Sequence, residues 1–328
     1  MWYAGIDAGG TQTKLWLLRQ EGREFEFVGR GVSGPGNLQD VGPDGLMKAI
    51  LDALGQAARQ AGMDEPPALD AVVVGAAGIG RPDDVVRARE ALARTFPGAR
   101  ADAHNDAIVA LAGGTLGDPG AVVIAGTGST AWAYLPGGGW VRTGGWGYLL
   151  GDEGSGFAIG LEGLRRVTRA SDGREESTSL TQAILEALGL SDVWDMVPVM
   201  YGGPVPKQTI AALAPVVLRE AEKGDRVAQS VIRQAVADVA ALVAAIRRQA
   251  ELPRPCPLVT VGGVFSNSYF AGLFRAEIER QELDYDAAPP AMDPAAGACA
   301  LALRLVTEFE PWMRQALIGA YQRAASTS

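Results

Sequence analysis

The sequence predicts an α/β protein built by duplication, with two lobes facing a central cleft. Two observations carry that expectation. A strand, a glycine-rich tip and a second strand occur twice, at 3–18 and at 121–135, and each is followed by the same order of further elements. Each copy also closes on a helix of small residues. Sequential alternation of strands and helices is the pattern that gives layered α/β folds.

The first copy opens with YAGIDAGGTQTKLWLL, followed by a helical stretch at about 44–62 and the apolar strand AVVVGAAG at 71–78. A helix at about 83–95 repeats Val85, Ala88 and Leu92 at three- and four-residue steps, the period of one buried helical face. A short strand near 99–103 then leads into a helix that starts at about Asp106.

The second copy opens with AVVIAGTGSTAWAYL, and helices follow from about 152 to 250. The last of these carries Ile232, Val236, Val239, Val243 and Ile246 in alternating steps of four and three. The strand PLVTVGGV (257–264), a helix at about 268–281, a strand near 283–287 and the helix AAGACALALRLV (295–306) complete it. The expected division is a small lobe over 1–114 and a large lobe over 115–306, with a C-terminal helix at about 307–328 packing back on the small lobe.

Composition narrows the function. Of 328 residues, 48% are hydrophobic, enough for a substantial core. The formal net charge of −9 argues against a nucleic-acid or anionic-membrane partner, since phosphates would be repelled. A phosphate ligand must then be held by local geometry. Cys256 and Cys299 are too far apart for a metal or redox spacing, and His104 is the sole histidine, so histidine-based zinc sites are disfavoured. The N-terminus enters a strand directly, no signal peptide is visible, and no uncharged apolar run approaches the ~20 residues of a membrane span. A cytoplasmic location is expected.

The two tips raise the question of what they approach. A P-loop is excluded, because none of the four lysines (Lys14, Lys48, Lys207, Lys223) follows a glycine. GTGSTA (126–131) fits a dinucleotide fingerprint, but that fingerprint must open a helix and here a strand follows. What remains is either a pair of ordinary hairpin turns or a pair of phosphate-gripping hairpins. In the second case Gly9, Gly10, Gly126 and Gly128 let backbone N–H groups point at phosphate oxygens, and Thr11 and Thr127 add hydroxyl donors. Two such tips at equivalent positions favour the phosphate reading.

Asp7, at the end of the first strand, is a candidate Mg²⁺ ligand through water, or else a solvated turn residue. Asn105-Asp106 follows a strand and opens a helix; Asp106 reads as an N-cap, as a general base for a substrate hydroxyl, or as both. TGGWGYLLGDEGSGFAIG (143–160) is dense enough in glycine to wrap a ligand, with Asp152 able to accept hydrogen bonds from a polyhydroxylated substrate. Asn37, in the loop 33–45, offers both a donor and an acceptor. Gly262-Gly263 would let a flat nucleoside lie against the backbone.

GIDAGGTQTK, NDAIVALAG, IAGTGST, GGWGYLLGDEGSG and TVGGVFSN, in this order, resemble the N-acetylglucosamine kinases. These form part of the BadF/BadG/BcrA/BcrD-type ATPase branch of the sugar kinase/actin/heat-shock ATPase superfamily. The resemblance covers about 3–306 and implies a duplicated ribonuclease H-like, actin-like ATPase fold. It implies an ATP- and Mg²⁺-dependent transfer to the 6-hydroxyl of an amino sugar, most specifically N-acetylglucosamine. Glucosamine, glucose and N-acetylmuramic acid are the alternatives. By resemblance, Asp106 is the base and Thr11 and Thr127 with their glycines are the two phosphate loops. Gly262 and Gly263 fall in the adenosine loop, and Asn37, Asn105, Ser129, Gly145, Trp146 and Asp152 fall among the sugar contacts. A homodimer is also implied. The non-kinase alternative is an activator ATPase of an iron–sulfur dehydratase, which needs bridging thiolates.

Overall fold

The computed structural model describes residues 1–203 and 206–326. The chain runs β1 (Trp2–Ala8), β2 (Thr13–Glu21), β3 (Glu24–Ser33), α1 (Leu38–Gln60), β4 (Ala71–Ala76), α2 (Pro82–Thr95), β5 (Arg100–Asn105) and α3 (Asp106–Thr115). It continues as β6 (Gly120–Ala125), β7 (Ser129–Tyr134), β8 (Trp140–Gly144), α4 (Gly156–Ser171), α5 (Leu180–Leu188), α6 (Met196–Tyr201), α7 (Lys207–Ala211), α8 (Ala214–Glu222) and α9 (Arg226–Gln249). It ends with β9 (Cys256–Val261), α10 (Ser268–Arg280), β10 (Tyr285–Ala288), α11 (Pro294–Val306) and α12 (Pro311–Ala325).

Two compact units result, one formed by residues 1–119 with the segment from Pro289 onward, the other by 120–288. Each holds one five-stranded sheet, ordered β3-β2-β1-β4-β5 in the first and β8-β7-β6-β9-β10 in the second. In both, the first three strands are antiparallel neighbours and the other two pair in parallel. The duplication predicted from sequence is therefore present strand for strand, and the topology is that of the ribonuclease H-like expectation.

In the first unit, period-two alternation sends β1 side chains to opposite faces. Ala4, Ile6 and Ala8 join Leu15, Leu17, Val72 and Val74 against Ile50 and Ala53 of α1 and Leu92 of α2. Tyr3, Trp16, Leu18 and Val73 face Val109 of α3, Ala295 and Cys299 of α11 and Leu317 of α12. A sheet covered on both faces explains why β1 and β4 read as nearly unbroken apolar runs.

The second unit inserts α4–α9 between β8 and β9, at the place where the first unit has α1 alone. The predicted stripe on α9 (Ile232, Val236, Val239, Val243, Ile246) is buried throughout, together with Ala121, Val123 and Ala131 of the sheet. Among the described residues α9 is the one helix long and apolar enough to cross a membrane, and half of that stretch is buried inside the protein.

The boundaries differ from the expected division. Residues 115–119 and α11 belong to the first unit. Small residues make this packing possible: a Cβ on Gly5 of β1 would stand 2.2 Å from Ala295 O and 2.3 Å from Cys299 N. Counting α11 as the close of the second copy assigned it to the wrong unit, because repeat order does not say which sheet a helix covers. α12 lies with β3 in the first unit; residues 327–328 of the expected terminal helix are outside those described.

Candidate active site

In the first unit the candidate residues gather at the carboxyl ends of β1, β4 and β5, where ligands of open α/β sheets bind. The tip after β1 is closed by Gly9 N–H donating to Gln12 O at 2.9 Å. Gly9 O accepts from Gly36 N at 2.9 Å, Ala8 O from Ala77 N at 2.9 Å, and Ala77 O from Leu38 N at 2.9 Å. These bonds tie three loops into one platform, with Gly10 and Thr11 exposed at its apex. Asn37, the N-cap of α1, accepts from Gln39 N through Oδ1 at 3.0 Å. The helix proper starts after Gly42 (φ 68) and Pro43, close to the expected residue 44.

Asn105, and not Asp106, is the N-cap of α3. Its Oδ1 accepts from Ala107 N at 3.0 Å, and its Nδ2 donates to Ile79 O at 2.7 Å. Asp106 is the first helical residue, with Oδ1 3.0 Å from Ala107 N. Burial pushes its pKa above the ordinary carboxylate range, against the lowering effect of backbone donors. Asp7 is pushed up to about 6, first by burial, then by the charge of Asp106, with Lys14 opposing and Asp293 adding.

Crowded, half-desolvated carboxylates are what a divalent cation would relieve. Among the described residues no cluster of three or more His, Cys, Asp or Glu side chains forms a metal cage. A Mg²⁺ ion that keeps most of its water needs only one or two carboxylates, and the chemistry of Asp7, a carboxylate beside the first tip whose pKa is raised by burial and by Asp106, is compatible with it.

In the second unit the tip after β6 is closed by Gly126 N–H donating to Gly128 O at 2.9 Å, while Gly126 O accepts from Gly156 N at 2.7 Å. Beside it lies a cavity of about 420 Å³ lined by Gly126, Thr127, Gln208, Ala211, Pro215 and Gly263, among others. Such a space suits a nucleoside. Gly262 turns the other way: at φ 107, a Cβ there would stand 2.3 Å from Ala125 O, so it braces the tip from behind and Gly263 faces the cavity.

The remaining candidates divide. Ser129 Oγ donates to Glu153 O at 2.7 Å, and Ser129 N donates to Asp152 Oδ1 at 3.2 Å. Both residues are buried, 3% and 4% exposed, so the polar groups expected to meet a sugar are engaged within the protein. Gly145 N–H donates to Ser129 O at 3.0 Å, and Trp146 is exposed, with the Arg142 guanidinium 5.1 Å from its ring centroid.

Sequence reasoning missed Lys207, whose Nζ lies 2.8 Å from Asp152 Oδ2, and Gln208, which lines the cavity. Neither carries a motif. The one available signal was that lysine is rare in this chain.

The profile of the BadF/BadG/BcrA/BcrD ATPase family matches residues 4–302. The N-acetyl-D-glucosamine kinase of Dictyostelium discoideum is 30% identical over 313 residues, 92% of this chain and 97% of that protein. The N-acetylmuramic acid/N-acetylglucosamine kinase of Clostridium acetobutylicum is 30% identical over 277 residues, 83% of this chain and 88% of that one. A solved structure from Chromobacterium violaceum, of a protein described as a candidate N-acetylglucosamine kinase, is similar with a TM-score of 0.70 and 30% identity. That match covers 92% of this chain and 98% of the other.

Proposed function

The chain belongs to the BadF/BadG/BcrA/BcrD ATPase family, and on that premise we propose that it is an ATP-dependent amino-sugar kinase. Its preferred acceptor in this reading is the 6-hydroxyl of N-acetyl-D-glucosamine. The observation that carries the reading is Asp106, a carboxylate at the carboxyl end of β5 whose proton affinity burial raises. A base of raised pKa is better matched to accepting a hydroxyl proton than an ordinary surface carboxylate.

In the reaction the sugar O6 forms a bond to the γ-phosphorus, the bridging bond to ADP breaks, and the hydroxyl proton passes to an Asp106 oxygen. Phosphoryl transfer has a loose transition state, so catalysis lies in positioning and in neutral, directed donors. Each within its own unit, the tip at 9–11 and the tip at 126–128 present such donors, and in the second unit the cavity by Gly263 receives the adenosine. Asn37, Asn105, Gly145 and Trp146 orient the sugar, with Ser129 and Asp152 supporting the second tip. Mg²⁺, when bound, neutralises triphosphate charge, and Asp7 would hold it through water. The reading includes a homodimer and a cytoplasmic location, where ATP is available.

The dehydratase-activator alternative fits poorly. Cys256 and Cys299 are both buried, one in each unit, and Cys299 Sγ is directed at Trp16 O. Neither thiol is available to bridge a cluster between subunits.

The test is ADP release with Mg²⁺-ATP across N-acetylglucosamine, glucosamine, N-acetylmuramic acid, glucose and a sugar-free control. The expected order puts N-acetylglucosamine first in kcat/KM. Turnover no higher with any sugar than without would overturn the kinase reading, and a preference for glucosamine would overturn the acetamido assignment alone.

A further inference from the structure

A carboxylate sits directly behind the second tip. Asp152 lies in the left-handed region (φ 60) and is 4% exposed. Its Oδ1 accepts from Ser129 N, and its Oδ2 is 2.8 Å from where a Cβ on Gly128 would stand. A tip proposed to take a triphosphate therefore has a buried negative charge at its base, which by itself repels the ligand through a medium that screens poorly. The single cation on Asp152 is Lys207, with Nζ at 2.8 Å from Oδ2 among the described ion pairs. The Tyr148 ring, centroid 5.7 Å from the same ammonium, lies beside it.

Lys207 also opens α7, and the next residue, Gln208, lines the 420 Å³ cavity together with Ala211 and with Gly126 and Thr127 of the tip. One ion pair thus links the cavity wall to the base of the tip. We infer that Lys207 is a positioning residue for nucleotide: it cancels the charge of Asp152 behind the tip, so that the tip can take a phosphate group. This rests on the reading of the second tip as a phosphate loop. Lys207 itself touches neither phosphate nor sugar in this assignment; it acts through Asp152.

The inference separates phosphate affinity from adenosine affinity. Replacing Lys207 by Met leaves a buried, uncompensated carboxylate and should weaken ATP and ADP binding tenfold or more, while adenosine, which lacks phosphates, binds within about twofold of wild type. Removing the charge as well, in the Lys207→Met/Asp152→Asn double variant, should recover most of the lost ATP affinity, and Lys207→Arg should keep it. The measurement is isothermal titration calorimetry of the full chain with ATP, ADP and adenosine, alongside thermal unfolding of each variant.

Equal ATP affinity in wild type and Lys207→Met overturns the inference and leaves the kinase reading standing. So does a parallel loss of adenosine and ATP affinity with no recovery in the double variant, which marks a merely structural pair. Absence of ATP binding by the wild type overturns both.

Discussion

Asp106 and Asp7 show how one physical cause, burial of carboxylates at the carboxyl ends of β5 and β1, which flank β4 in one sheet, sets both a chemical and a stability signature. If Asp106 is the base, Asp106→Asn keeps the cap made by Asn105 and leaves ATP binding within about twofold, but lowers kcat by roughly 10²–10⁴-fold. Single-turnover kinetics with ATP titration would detect it, and near-normal turnover would remove Asp106 from the mechanism. Asp7 carries the stability signature. Its folded pKa of about 6 lies above the ordinary 3.8, so the folded state binds the proton more tightly than the unfolded one. Stability then falls as pH rises through the interval from about 4 to about 6 and levels off above it. A rise from 3.8 to about 6 corresponds to about 3 kcal/mol, so without Mg²⁺ Asp7→Asn should unfold later in urea than wild type at pH 7.5 and no later at pH 4. Both aspartates were legible because each stands at the carboxyl end of a strand, Asp7 next to last in β1 and Asp106 just after β5. The inward turn of Asp152 and Ser129 was not, because a sequence shows that a loop can wrap a ligand and not whether its polar atoms are already engaged with the protein.

The elements that escaped sequence reading are β3 and β8, the outer antiparallel strands. β3 carries the signal in plain form, with Glu24-Phe25-Glu26-Phe27 alternating and both phenylalanines buried against the face that holds Trp16. Its later half, Val28 to Ser33, contains two glycines that resemble loop residues, and there the alternation is lost to the eye. β8, at five residues, is too short to show a period. The placement of α11 was hidden for another reason, since its small residues indicate close packing without naming the partner. The partner is β1 at Gly5, and this contact can be tested. A Cβ at Gly5 meets backbone atoms at 2.2 and 2.3 Å, which a rotamer change cannot relieve. Gly5→Ala should therefore cost about 1–3 kcal/mol or more in urea unfolding, as overpacked cores do. Gly10→Ala, where a Cβ meets nothing within 4 Å, should change stability by less than about 0.5 kcal/mol. Equal midpoints for the two variants would contradict the packing of α11 on β1.

At the scale of the whole chain the duplication is complete in its strands and broken in its helices. Both units share one sheet order, yet the second is a continuous segment, while the first is completed only by residues that follow the second in sequence. Two consequences for folding differ sharply between the units. Residues 120–288 contain their own sheet, α9 and a continuous core, so expressed alone they should unfold cooperatively and bind adenosine. Residues 1–119 alone would leave Tyr3, Trp16, Leu18, Val73 and Val109 without α11 and α12 to cover them, exposing an apolar face of several large side chains. At about 25 cal/mol per Å² of apolar surface, losing that cover outweighs the few kcal/mol that stabilise a domain of this size. The fragment 1–119 should show no near-ultraviolet circular dichroism from Trp16 and no cooperative melt, and adding a peptide spanning 289–326 in trans should restore both. Cooperative unfolding of 1–119 by itself would show that α11 and α12 ornament the first sheet and do not complete it.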